Sequence, residues 1–92
     1  MTDEPAENPA ASGRCIFIFD SIHYVLAAER ALKERGLWCD LVPTPKDLSP
    51  DCGMAIETRA SDAATARAIL SDPRFRHPRM YVPEGGGYRE EA

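Results

Sequence analysis

The 92-residue chain lacks any apolar run near the roughly 18 residues a membrane-spanning helix needs. It also lacks a basic excess: 11 Lys and Arg stand against 15 Asp and Glu, a formal net charge of −4. That balance argues against a general nucleic-acid binder, which needs a dominant positive field. Cysteine is scarce, with three in an odd set and no C-x-x-C pair, so a disulfide framework is not expected. The two histidines, His23 and His77, stand far apart, and no C-x₂-C or H-x₃-H spacing offers a metal site. Gly85-Gly86-Gly87 precedes no helix and so is not a phosphate loop, which leaves no resident cofactor to expect. The acidic start carries no apolar core of a secretory signal, and the simplest compartment is a reducing cytoplasm.

What is present divides into a core and two ends. Residues 1–13 hold Asp3, Glu4 and Glu7 with Pro, Ala and Ser and no basic side chain, a composition that predicts a disordered acidic tail. Residues 84–92 read as a flexible tail of similar kind. Residues 14–83 then form one domain. A domain near this size buries only about 60% of its unfolded surface, which leaves room for a homodimer or a partner surface.

Within the domain, Arg14-Cys-Ile-Phe-Ile-Phe-Asp20 is short, β-branched and aromatic, and predicts a strand buried on both faces. Asp20-Ser21 offers an N-cap to a helix from Ile22 to Arg35, with Ile22, Val25, Ala28 and Leu32 on one stripe and Gly36 as the stop. Glu29 falls beside that stripe, a carboxylate snorkelling at its edge. Leu37–Val42 alternates and predicts an edge strand, with Cys39 inward and Trp38 and Val42 on the opposite face. Met54–Thr58 is a short strand, Ser61–Leu70 a second helix capped by Ser61 and stopped by Asp72-Pro73, and Arg79–Pro83 a last strand. The order β-α-β-β-α-β predicts an α+β, ferredoxin-like sandwich: two helices on one face of a four-stranded antiparallel sheet.

Between the second and third strands lies a stretch with Pro43, Pro45 and Pro50, too stiff for a helix or a central strand and ending at Cys52-Gly53. A thiolate is the reactive form of cysteine, and positive charge or open backbone amides raise its fraction. Lys46 sits in the same stretch, and Gly53 permits a positive φ or a close approach. Asp47 and Asp51 work against the thiolate. On spacing alone, Cys52 reads equally as a reactive thiol and as a side chain plugging a turn, whereas Cys15 and Cys39 read as small core hydrophobes. His23 sits in a first helical turn, where it could face the end of the sheet. Arg74–Arg79 places three arginines beside Phe75, a solvated loop first and an anion-binding one second.

The succession Phe19-Asp-Ser-Ile-His23, Ala28-Glu29, Leu32 before Gly36, Leu41-Val-Pro-Thr-Pro-Lys46, Leu48-Ser49 and Cys52-Gly-Met-Ala-Ile56 resembles the selenium/sulfur carrier protein-like family of small bacterial and archaeal proteins. The resemblance spans the core from Cys15 to Leu70. It puts the family's cysteine on Cys52, its basic residue on Lys46 and its serine on Ser49, while Ile22 stands where the family has threonine. It implies a small thiol carrier rather than a stand-alone enzyme. Cys52 would accept sulfur or selenium as a persulfide or perselenide, with Lys46, Ser49, Gly53 and His23 around it and donor and acceptor proteins as partners. Two other readings stay open: a non-catalytic interaction module using Trp38 and Val42 on the open sheet face, and a redox sensor at Cys52.

Overall fold

The computed structural model describes residues 13–45, 48 and 53–91. Its first strand, β1 (Arg14–Ile18), is buried along its last four residues, as an apolar run without polar alternation requires. Helix α1 (Ile22–Glu34) buries Val25, Ala28, Ala31 and Leu32, while Ile22 in the first turn stands exposed outside that stripe. Ser21 occupies the N-cap position in extended backbone, and its carbonyl accepts from the amides of Tyr24 and Val25 at 3.1 and 3.2 Å. Its side chain makes no capping bond, so the cap acts through the backbone alone. The helix ends as expected: Gly36 takes φ +80°, and Leu37 N–H reaches back to the Leu32 carbonyl at 3.0 Å. Glu29 sits half-buried at the stripe's edge and pairs with Lys33 at 3.1 Å, one turn on.

Strand β2 (Cys39–Pro43) starts later than the alternation suggests and runs into Pro43. As an edge strand it tolerates a residue without an N–H, since one side needs no donor. Strand β3 (Met54–Arg59) is followed by a 3-10 turn, Ala60–Asp62, and by helix α2 (Ala63–Leu70). Ser61 therefore belongs to the turn, and Asp62 takes the N-cap position in its place. A second 3-10 turn, Pro73–Phe75, is capped by the Asp72 carboxylate, which accepts from Arg74 N–H at 2.9 Å. Strand β4 (Arg79–Glu84) then leads to β5 (Gly87–Glu91).

That last strand corrects the expected count. Among the described residues the antiparallel sheet has five strands, in the order β2-β3-β1-β4-β5, rather than four. Part of the expected tail at 84–92 is the return arm of a hairpin: Glu84 pairs with Gly87, and Gly85 and Gly86 turn the chain at φ +58° and +85°. Positive φ at both turn residues suits a two-residue hairpin, and glycine adopts it without a Cβ clash. The expected tail at 1–13 lies outside the described residues, apart from Gly13, whose carbonyl accepts from Ala60 N–H at 2.9 Å.

Side-chain alternation divides the interior into two layers. Cys15, Phe17 and Phe19 meet both helices in one core with Cys39, Ile56, Phe75 and Met80. Ile16 and Ile18 point the other way and form a smaller cluster with Ala55, Val42, Leu48 and Tyr81. Both helices thus pack on one face of the sheet, and β1 is apolar from Cys15 onward because each of its faces is covered.

Candidate functional site

Because β3 and β4 both run antiparallel to β1, both begin at the end of the sheet where β1 finishes. Three segments gather there: the stem of the proline-rich connection, the first turn of α1, and the arginine-rich approach to β4. Phe17 pairs with Ile56 on one side and Met80 on the other. The starts of β3 and β4 are therefore two strand spacings apart, about 10 Å.

The stem is closed by backbone. The β2–β3 ladder runs from Cys39↔Thr58 to Pro43↔Met54, and Thr44 N–H then donates to the Gly53 carbonyl at 3.1 Å. Gly53 sits at φ +85°, in the left-handed region its lack of a side chain allows, and a Cβ there would meet nothing within 4 Å. Its demand is conformational rather than steric. Farther out, Leu48 N–H donates to the Pro45 carbonyl at 2.9 Å, and the Leu48 side chain packs on the Ile16–Ile18–Ala55 cluster. Leu48 thus lies on the sheet face opposite the helices. The buried Thr44 hydroxyl at the stem has no hydrogen-bond partner among the described residues.

Of the residues singled out from the sequence, Cys52, Lys46 and Ser49 lie outside the described residues. Gly53 and His23 lie within them and at the same end of the sheet, with His23 exposed on the first turn of α1. Beside it, Tyr24 holds the arginine-rich segment: Arg76 Nη1 donates to the Tyr24 hydroxyl at 3.4 Å, and its guanidinium lies 5.7 Å from the ring centroid. Arg74 stacks on its neighbour Phe75 at 4.6 Å. Arg74, Arg76 and Arg79 are all exposed, as a solvated loop requires, and the Arg76 contact adds one tie to α1. Nothing local in the sequence marks the Tyr24–Arg76 contact, which spans 52 positions.

The other two cysteines are where core hydrophobes belong. Cys15 and Cys39 flank Thr58 in one row across three strands, 1% and 8% exposed. Burial pushes the Cys15 thiol above its ordinary range, with the Glu91 carboxylate adding to the effect. Burial does the same to Cys39, helped by Glu29. Both favour the protonated, unreactive form. Trp38, read from the sequence as a candidate partner anchor, is half-buried and lies under two guanidinium groups, Arg14 at 4.9 Å and Arg59 at 5.4 Å. Val42 packs into the small cluster. The sequence pattern could not show this, because the two arginines come from β1 and β3.

Residues 14–81 match the family described as "Putative Se/S carrier protein-like". The chain belongs to this family. Neither the curated proteins nor the solved structures contain a match to it. In this Se/S carrier-like chain, the matched region takes in all three segments at the β1 end of the sheet and stops within β4, short of β5. Among the described residues no cluster of three metal-ligating side chains occurs, and no helix is long and apolar enough to cross a membrane.

Proposed function

We propose that the protein is a small thiol carrier that takes up sulfur or selenium on Cys52 and passes it to a partner protein. The observation that carries this reading is the family match across residues 14–81, which takes in the whole connection between β2 and β3. The chemistry supports it by contrast. Cys15 and Cys39 are sealed in the core with raised pKa values, so Cys52 is the remaining thiol for transfer. The carrier stem is a glycine at positive φ on a hydrogen-bonded hairpin base, which suits a thiol held in one place.

The step balances without an added oxidant. The Cys52 thiolate attacks the outer sulfur of a donor persulfide. A new S–S bond forms on Cys52, the donor's S–S bond breaks, and the donor leaves as its thiolate. Transfer to the acceptor repeats the step with Cys52 as leaving group. Lys46 and the Gly53 region would stabilise the thiolate, with Ser49 and His23 at the periphery. The β-α-β-β-α-β part of the chain, read as a ferredoxin-like unit extended by β5, supplies the rigid base. This reading sets the protein in a reducing cytoplasm, where a free thiol persists.

Intact-mass spectrometry after incubation with a cysteine desulfurase and L-cysteine tests it. The wild type should gain the mass of sulfur, and dithiothreitol should remove it. Cys52→Ser should gain none. Equal loading of Cys52→Ser ends the proposal.

A further inference from the structure

Among the described residues three large apolar side chains stand exposed, and two of them lie one turn apart on α1: Ile22 at 39% and Leu26 at 48%. Both belong to a stripe of four residues, Ile22, Leu26, Glu29 and Lys33, along one side of the helix. The direction of that stripe is fixed farther down. The Cys39 thiol of β2 donates to the Glu29 carbonyl at 4.0 Å, so this side of α1 overlies the β2 edge. β2 runs parallel to β1, since each is antiparallel to β3. α1 runs back between them, and its first turn lies where both strands finish. From Ile22 to Glu29 the helix rises about 10 Å, and from Cys39 to Pro43 the strand advances about 13 Å. Ile22 and Leu26 therefore stand above the Leu41–Pro43 end of β2.

That end of β2 adds apolar surface of its own. Cys39, Leu41 and Pro43 alternate onto the helix side, where Leu41 is half-buried against the main core and Pro43 is exposed. Pro43 pairs with Met54, and the next rung is the bond from Thr44 N–H to the Gly53 carbonyl at 3.1 Å. The apolar strip thus ends at the stem of the connection that carries Cys52.

Contiguous exposed apolar surface marks interaction sites, where scattered single residues do not. Glu29 and Lys33, farther along the stripe, pair at 3.1 Å and cancel, so the strip selects apolar surface rather than charge. Its four apolar side chains are far fewer than the roughly 20–30 residues a side of a stable interface. It suits a visitor that leaves rather than a second copy that stays. Persulfide transfer adds a demand for orientation, because attacking, transferred and leaving sulfurs must line up.

We propose that this strip docks the protein that brings the persulfide to Cys52, through a small apolar patch beside that protein's own cysteine. The inference rests on the thiol-carrier reading and adds the surface its donor uses. In the docked pair the Cys52 thiolate attacks the outer sulfur of the donor persulfide. The new S–S bond forms on Cys52 as the donor's S–S bond breaks, and the donor leaves as its thiolate.

The test compares two sulfur sources by intact mass: a cysteine desulfurase with L-cysteine, which must dock, and glutathione persulfide, which need not. Ile22→Gln/Leu26→Gln should cut the second-order loading rate from the desulfurase at least tenfold, and Leu26→Gln alone at least threefold. Loading from glutathione persulfide should keep its wild-type rate in both. Tyr88→Gln, which alters the third exposed side chain on the opposite edge strand, should change neither rate. Equal desulfurase rates in the wild type and the double variant overturn the docking proposal. An equal fall with both sulfur sources, or the same fall in Tyr88→Gln, overturns it too. A wild type that loads from glutathione persulfide but not from the desulfurase overturns it and leaves the carrier reading standing. A wild type that loads from neither overturns both. A wild-type dimer that the double variant breaks, read by sedimentation velocity, assigns the strip to a second copy and overturns the donor as its occupant.

Discussion

Gly53 and Gly36 form a matched pair for testing what the stem of the connection does. Both sit near φ +80°, at +85° and +80°, and a Cβ at either would meet nothing within 4 Å. Alanine therefore costs backbone energy alone at each, about 1–2 kcal/mol for an L-residue held in the left-handed region. In a domain of this size each kilocalorie lowers Tm by about 4–8 °C, so both variants should melt about 4–16 °C below wild type. The two positions lie at opposite ends of the fold, Gly36 closing α1 before β2 begins and Gly53 opening β3. Stability alone thus cannot tell them apart, but the thiol can. Alkylation of Cys52 by iodoacetamide, followed at neutral pH by peptide mass spectrometry well below either melting temperature, should change several-fold in Gly53→Ala. It should stay at the wild-type rate in Gly36→Ala. Equal rates in all three proteins would refute the idea that Gly53 sets the presentation of the thiol. A melting temperature unchanged in both variants would refute the backbone argument itself.

Two further outcomes follow from the core. Thr58 is fully buried between Cys15 and Cys39, and its hydroxyl has no hydrogen-bond partner among the described residues, so Thr58→Val should stabilise the fold by about 1–3 kcal/mol in urea denaturation; a loss of stability would show that the hydroxyl is satisfied. The raised thiols of Cys15 and Cys39 bear on pH. A thiol whose folded pKa exceeds its unfolded value contributes stability below the unfolded value, near 8.5, and loses it as pH rises through the folded value. Urea midpoints should therefore hold up to about pH 8 and fall above it, and Cys15→Ala/Cys39→Ala should flatten that fall relative to its own neutral midpoint. An identical alkaline slope in the double variant would remove the two thiols as its cause.

Much of the fold is legible because its signals are local. The unbroken run Cys15–Phe19 is apolar at every position since helices cover one face and the Leu48–Val42–Tyr81 cluster the other. Gly36 marks a helix end by its own chemistry. Strand β5 is hidden for the opposite reason: Tyr88, Arg89 and Glu90 are exposed, so neither face prints an apolar alternation, and the glycines before it resemble a tail more than a turn. Pro43, expected just past the second strand, is its last residue, since an edge strand has room for a proline that a central strand lacks. Within the candidate site, Gly53 was readable from its type and its place before a strand. The Tyr24–Arg76 clasp and the two arginines over Trp38 were not, because each joins elements that only the sheet order brings together. Cys52, Lys46 and Ser49 remain readings of the sequence and the family.

The charged outer strand also narrows how any partner can approach. β5 carries Arg89, Glu90 and Glu91 along its length, with Arg89 bonded to both Glu84 and Glu91, and β2 at the far side ends in Pro43, which has no amide to offer. Exposed strand edges invite a foreign strand to zip alongside, and charge and proline are the usual deterrents. Both flanks of this sheet carry such deterrents. A visiting chain that tried to extend the sheet would find one border guarded by ion pairs and the other missing a donor. The end of the sheet that holds the hairpin base, His23 and the Arg76–Tyr24 contact carries neither deterrent.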